Sequence, residues 1–269
     1  MRIVVTGGAS GVGAALAQRL DGAELWILDV QPPQASGDGV RFLETDLADP
    51  DAVDAALERL PDQVDGLANV AGMARADAPE TVVAVNFLAL RHLSARLMPR
   101  LRPGASILNV SSIAGRDWRA RYDRLVPLLQ TADYTAGLEW CRENRDALAR
   151  DPYTFSKRAV TAYTLLAAQR ALQLGVRINC VSPGPVETPL YPQFEALMGK
   201  AQSDWTKAQT GRAATPDDIA EVLDMLLTRP CAWLNGVDIP VDGGYSAGIE
   251  TGWIDFASSP VMRRRQRDS

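Results

Sequence analysis

Tyr153 and Lys157 stand four residues apart, the spacing that puts two side chains on one face of a helix. A phenol beside an ammonium is a proton-transfer pair. A free tyrosine titrates near about 10, and an ammonium about 4 Å away at an effective dielectric near 20 supplies roughly 4 kcal/mol, or about three pKa units. The expectation is a phenol tuned to about 7, where general acid–base transfer works best at neutral pH. A second stretch, Thr6-Gly7-Gly8-Ala9-Ser10-Gly11-Val12-Gly13, offers different chemistry. Its small residues let backbone approach a pyrophosphate, and a helix starting there presents free N–H groups and a positive dipole end. Taken singly, both features have ordinary readings: surface helices often carry Y-x-x-x-K by chance, and a glycine-rich turn can be only a tight connection.

The elements around these residues set their meaning. Apolar runs at Ile3–Thr6, Glu24–Asp29, Val40–Asp46, Val64–Val70, Ala105–Ser111, Val176–Val181 and Val237–Val241 lack polar alternation, as strands covered on both faces do. Helical stretches fall between them at Val12–Leu20, Pro50–Leu60, Glu80–Leu101, Tyr153–Leu174 and Pro216–Leu227. Pro50 and Pro216 follow capping residues Asp49 and Thr215, where a first helical turn accepts proline. This alternation predicts an α/β chain, a single-domain Rossmann-like doubly wound parallel sheet of about seven strands with helices on both faces. Residues 1–269 are read as one domain. The glycine turn then joins the first strand to the first helix, and Asn109-Val110-Ser111-Ser112 ends the strand ahead of the tyrosine helix. Carboxyl ends of parallel strands are where such sheets bind ligands.

Asp29 ends the second strand, sixteen residues after Gly13. A carboxylate there accepts both hydroxyls of an adenosine ribose. A 2′-phosphate would meet about 1–4 kcal/mol of repulsion from it at surface-like dielectric. Val30-Gln31 supplies no arginine to reverse that, so NAD(H) is expected over NADP(H). Asp46-Leu47 and Asn69-Val70-Ala71-Gly72, at the ends of the third and fourth strands, would border the adenine.

Together these motifs resemble the short-chain dehydrogenase/reductase family over roughly residues 1–245. T-G-x-x-x-G-x-G lies at 6–13, the strand-end aspartates at 29 and 46, N-V-A-G at 69–72 in place of the usual N-N-A-G, Val85-Asn86 in the following helix, N-V-S-S ending in Ser112, Y-x-x-x-K at Tyr153 and Lys157, N-C-V-S-P-G at 179–184 and D-G-G at 242–244. The resemblance implies Tyr153 as general acid/base, Lys157 lowering its pKa and holding the nicotinamide ribose, Ser112 orienting the carbonyl or alcohol, and Asn86 supporting a proton-relay water. It also implies cofactor contacts from Gly7, Ser10, Gly11, Val12, Gly13, Asp29, Asp46, Leu47, Asn69, Ala71 and Gly72, and from Pro183, Gly184, Val186 and Thr188 at the nicotinamide end. Hydride moves to or from the cofactor, so no metal is expected.

Ser112 and Tyr153 are 41 positions apart, further than in most family members, so residues 113–150 are read as an insertion acting as lid or interface. Leu138, Cys141 and Leu148 suggest a short helix within it. Residues 185–214 read as an irregular substrate loop. Met73, Trp118, Tyr191, Phe194 and Trp205 are candidate substrate contacts. The long-insertion pattern implies an alcohol/carbonyl oxidoreductase for a bulky aromatic or alicyclic substrate, coniferyl-alcohol-like ahead of a 3α-hydroxysteroid, with a non-catalytic nucleotide-binding module as the remote alternative. A homodimer is expected, a tetramer being the alternative, because the insertion falls beside one of the family's usual interfaces.

Composition excludes other classes. With 28 Lys+Arg against 33 Asp+Glu in 269 residues, the net charge of −5 gives no general attraction to nucleic acid or anionic membranes. No apolar run reaches membrane-helix length and no signal peptide is visible, so a cytoplasmic location is expected. Cys141, Cys180 and Cys231 are too scattered for a disulfide framework or zinc site. His92, the sole histidine, is read as structural. Residues 258–269, with their run of arginines, are read as a flexible, solvated tail.

Overall fold

The computed structural model describes residues 1–35 and 37–267, of which 265–267 are described by backbone alone. Seven parallel strands form one sheet: β1 (Arg2–Thr6), β2 (Glu24–Asp29), β3 (Val40–Glu44), β4 (Val64–Asn69), β5 (Leu101–Val110), β6 (Arg177–Pro183) and β7 (Asp238–Val241), in the order β3-β2-β1-β4-β5-β6-β7. Alternate side chains feed opposite faces. Val4, Leu28, Leu67, Ile107 and Ile178 enter one core, and Ile3, Val5, Ala68, Leu108 and Val181 the other. This two-sided burial is why the strands read as continuous apolar runs. The order reverses between β1 and β4, where Thr6 pairs with Asn69, and a crevice opens there beyond the strand ends.

Helices α1 (Gly11–Arg19) and α11 (Pro216–Thr228) cover one face. Between these in sequence come α2 (Pro50–Arg59), α3 (Pro79–Val83), α4 (Ala89–Leu97), α5 (Tyr122–Leu129), α6 (Tyr134–Glu143), α7 (Arg145–Leu148), α8 (Pro152–Gln173), α9 (Tyr191–Met198) and α10 (Lys200–Thr210). Helices α12 (Tyr245–Thr251) and α13 (Pro260–Arg267) close the chain. The Glu80–Leu101 helix is broken by a π-helical turn, Ala84–Leu88, and gives way to strand at Leu101, where the β4–β5 register also shifts. No helix among the described residues is long and apolar enough to cross a membrane.

The insertion is largely helical and packs into the core. Its helices α5–α7 bury Leu125, Leu128, Tyr134, Cys141 and Leu148 in the same core as α4 and α8. Arg91 of α4, only 8% exposed, donates to the carbonyls of Leu128, Thr131 and Asp133, so a buried guanidinium satisfies the turn between α5 and α6. Gly137 lies against Leu88, and a Cβ there would be 2.6 Å from the leucine methyl.

Two further expectations are corrected. Residues 185–214 contain two helices, α9 and α10, and the segment leaves and returns through a parallel bridge between Val186 and Ala214. Over 258–267 the chain is not a loose tail: Phe256–Ser258 forms a 3-10 turn, Ser259 is fully buried, and α13 packs on α10 with the Val261 amide donating to Gln202. Residues 268–269 lie outside the described residues.

Candidate active site

The glycine turn is shaped by contacts only glycine permits. Gly7 has φ +74°, and a Cβ on Gly13 would sit 2.1 Å from the Gly7 carbonyl oxygen. The turn is tied to its neighbours: the Ala9 amide donates to Asp29 Oδ2 at 2.9 Å, and Thr6 Oγ1 accepts from the amides of Val70 and Ala71. Asp29 Oδ1 takes the Gln31 amide. Two of the roughly four acceptor positions on a carboxylate are thereby used, and two remain for a diol.

One cavity of about 1180 Å³ runs from this turn across the ends of the strands. Gly7, Ser10, Gly11, Val12 and Gly13 line one end with Asp29, Asp46 and Leu47. Ala71, Gly72 and Met73 line its middle with Ser112, Tyr153 and Lys157. Pro183, Gly184, Val186 and Thr188 face them, and Tyr191 and Phe194 lie at the far end.

Four nominated residues lie outside it. Asn69 is buried, donating to Ser94 Oγ and Asn109 Oδ1, so it braces β4 against β5. Asn86 sits in the π turn, where its side chain clamps Met73: Oδ1 accepts from the Met73 amide at 2.7 Å, and Nδ2 donates to the Met73 carbonyl and Ser156 Oγ. Trp118 packs edge-on against Tyr122 with Arg119 over its face. Trp205 stands behind the wall, edge-on to Tyr245 and Phe256, which do line the cavity. An aromatic's position in a sequence gives no direction for its ring, and the rings of these last two lie outside the cavity lining.

Around the proton-transfer pair, burial dominates. Lys157 is 3% exposed; its Nζ donates to the Val110 carbonyl at 2.8 Å and lies 5.8 Å from the Tyr153 ring centre. Desolvation pulls the ammonium down to about 8. It pushes the Tyr153 phenol up to about 12, against an opposing hydrogen bond with Ser112. Charge proximity alone predicts a phenol at about 7; here burial is the larger influence on both groups and acts in the opposite direction on the phenol. Ser112 Oγ accepts the Ala114 amide, which fixes the hydroxyl beside the phenol.

The far wall holds residues that sequence reasoning missed: Leu197, Met198, Ile249, Val261 and Arg264. They come from α9, α12 and α13. Arg116 reaches Glu250 at 3.1 Å on the cavity rim, and Arg158 makes a two-point pair with Asp117.

Comparison with known proteins agrees with this arrangement. Residues 1–123 match the family described as short chain dehydrogenase, and residues 141–246 match the one described as Enoyl-(Acyl carrier protein) reductase. The unmatched stretch between them falls inside the insertion. Coniferyl-alcohol dehydrogenase of Pseudomonas sp. (strain HR199 / DSM 7063) is 34% identical over 249 residues, spanning 91% of this chain and 96% of its own. The 3-alpha-hydroxysteroid dehydrogenase/carbonyl reductase of Comamonas testosteroni is 28% identical over 259 residues, with coverage of 91% and 96%. A solved 3-alpha-hydroxysteroid dehydrogenase from Pseudomonas sp. B-0831, complexed with NADH, matches with a TM-score of 0.73 and 29% identity over 93% of this chain and 99% of that one. The chain belongs to the short-chain dehydrogenase/reductase family and is an oxidoreductase.

Proposed function

We propose that this enzyme interconverts an alcohol and a carbonyl on a bulky aromatic or alicyclic substrate, with NAD(H) as cofactor and a coniferyl-alcohol-like molecule as the favoured substrate. The observation that carries this reading is the single cavity joining the glycine turn and Asp29 to Ser112, Tyr153 and Lys157, and then to an apolar far end. Its size exceeds the usual range of about 300–1,000 Å³ for a small-ligand pocket, as a dinucleotide plus substrate requires. The residues fit the cofactor: a Cβ at Gly13 would close the turn, and Asp29 keeps free acceptor positions.

When bound, NAD(H) supplies the hydride acceptor or donor. Tyr153 Oη then exchanges the proton with the substrate oxygen, and Ser112 Oγ hydrogen-bonds that oxygen. Lys157 holds the ribose and favours the phenolate. Asn86 contributes by fixing Met73 against the substrate and by standing beside Ser156. Gly7 to Gly13, Asp29, Asp46 and Leu47 hold the adenosine and pyrophosphate; Ala71, Gly72, Pro183, Gly184, Val186 and Thr188 hold the nicotinamide half. Phe194, Tyr191 and Met73 shape the substrate end.

A cytosolic homodimer is the proposed working form. Its support is Trp233, fully exposed after α11, while the insertion covers the outer side of α4 and α8.

The test is NADH formation by the purified protein with NAD⁺, comparing coniferyl alcohol with a 3α-hydroxysteroid and with NADP⁺ as control. Turnover of coniferyl alcohol with NAD⁺ is expected. Turnover of the steroid alone would move the assignment to that branch, and preference for NADP⁺ would overturn the cofactor reading.

A further inference from the structure

The end of β3 leads into α2 through the turn Asp46-Leu47-Ala48-Asp49, and this turn is held from outside by the insertion. Tyr134, 2% exposed at the start of α6, donates its phenolic hydrogen to the Leu47 carbonyl across 87 positions of sequence. The carbonyl of Leu47 and the amide of Ala48 belong to one planar trans peptide, so they point in opposite directions. Fixing the first aims the second. The Ala48 amide donates to Asp46 Oδ1 at 2.8 Å, and Asp46 lines the cavity. A hydroxyl on the insertion is thus connected through one peptide plane to a carboxylate at the cavity's nucleotide end.

The tyrosine is itself held. His92 of α4 lies 6.0 Å away, ring to ring, and its Nε2 is 2.7 Å from Asp54 of α2. Arg91, next in the chain, anchors the residues just before Tyr134. Helices α2, α4 and α6 therefore converge on the Asp46–Asp49 turn.

We propose that Tyr134 is a positioning residue for the adenosine end of the cofactor, acting through the Leu47–Ala48 peptide on Asp46, and that the insertion serves as a brace for nucleotide affinity. This rests on the assignment of the cavity to a dinucleotide. The experiment is Tyr134→Phe in the full chain, which keeps the ring in the core and removes only the hydroxyl. Binding of ADP-ribose and NADH is followed by titration, with steady-state kinetics beside it. Losing one hydrogen bond and leaving a buried carbonyl unpaired predicts about fivefold to tenfold weaker ADP-ribose binding, with a matching rise in the NAD⁺ KM and kcat within about twofold.

Adding Tyr134→Phe to Asp46→Ala should bring no further loss, because the two act in series. Equal loss in both backgrounds, unchanged ADP-ribose affinity, or a fall in kcat equal to the rise in KM would each overturn the proposal. If Tyr134→Phe does not fold, amide exchange in the wild-type protein decides: the Ala48 amide should be protected, and rapid exchange there would refute the linkage. Wild-type protein that binds neither NADH nor ADP-ribose would instead refute the cofactor assignment.

Discussion

The ring of Phe194 meets that of Tyr153 edge-on, with centres 4.8 Å apart and planes inclined by 70°. An apolar side chain from α9 thereby rests on the proton-transfer residue and keeps water from one side of it. It is also a cause of the burial that raises the phenol. The substrate end and the chemical centre share a wall.

Tyr153→Phe keeps that packing and deletes the hydroxyl. Turnover should fall by about 10²–10⁴-fold, the usual range for losing a general acid–base group. NADH binding, followed by fluorescence, should stay within twofold. Retained turnover would remove Tyr153 from the mechanism.

Asp29 should decide the cofactor. Its carboxylate is pinned by the Ala9 and Gln31 amides, so it cannot swing away from a 2′-phosphate. Asp29→Ser should raise kcat/KM with NADP⁺ by about tenfold or more, as relief of roughly 1–4 kcal/mol of repulsion requires. It should lower kcat/KM with NAD⁺ at the same time. Unchanged preference in the ratio of the two would count against the assignment.

Lys157 gives a pH signature. Its folded pKa near 8 lies below the unfolded value of 10.5, so the unfolded chain binds more protons between these limits. Stability from this group therefore rises as pH climbs from about 8 to about 10.5, and below pH 8 the full cost of the buried ammonium is present. Lys157→Met removes that pH-dependent cost and leaves the Val110 carbonyl without a donor at every pH, so its stability relative to wild type should be higher at pH 7 than at pH 10. Denaturant melts at pH 7 and pH 10 measure it; a difference that does not change with pH would contradict the burial argument.

Arg91 should hold the insertion in place. Arg91→Met leaves the carbonyls of Leu128, Thr131 and Asp133 without their donor. A loss of about 3 kcal/mol is expected from such buried groups. That corresponds to a Tm lower by roughly 6–12 °C for a chain of this size. The kcat at 20 °C and saturating NAD⁺ should remain within about twofold, since Arg91 does not line the cavity. A melt unchanged within 2 °C would show that water replaces the guanidinium.

Much of the architecture was legible from residue pattern because the strands are buried on both faces. Glu24–Asp29 was bounded correctly at both ends, and Pro50 and Pro216 marked α2 and α11 to the residue. The glycine turn, Asp29, Ser112, Tyr153 and Lys157 were legible because backbone geometry and proton chemistry restrict which residues serve. The substrate end was not. Helix α9 has no fully buried residue, so its sequence carries no core-facing apolar stripe to mark it. Trp118 and Trp205 lie outside the cavity lining because their rings pack on Tyr122 and on Tyr245 and Phe256. Val261 and Arg264 come from a stretch that read as a polar tail, because its helix packs mainly on other late-sequence elements.

The bridge between Val186 and Ala214 brings the two ends of a helical excursion side by side, the Glu187 amide bonding Ala214 and the Ala214 amide bonding Pro185. Everything between these residues attaches to the sheet through one narrow neck. Lengthening a closed loop costs little, about 0.6 kcal/mol for each doubling. With Thr188 kept in place beside Gly11, residues 190–213 can therefore be treated as an exchangeable cassette, whose replacement by a relative's segment would change what the enzyme accepts while the nucleotide end keeps its shape.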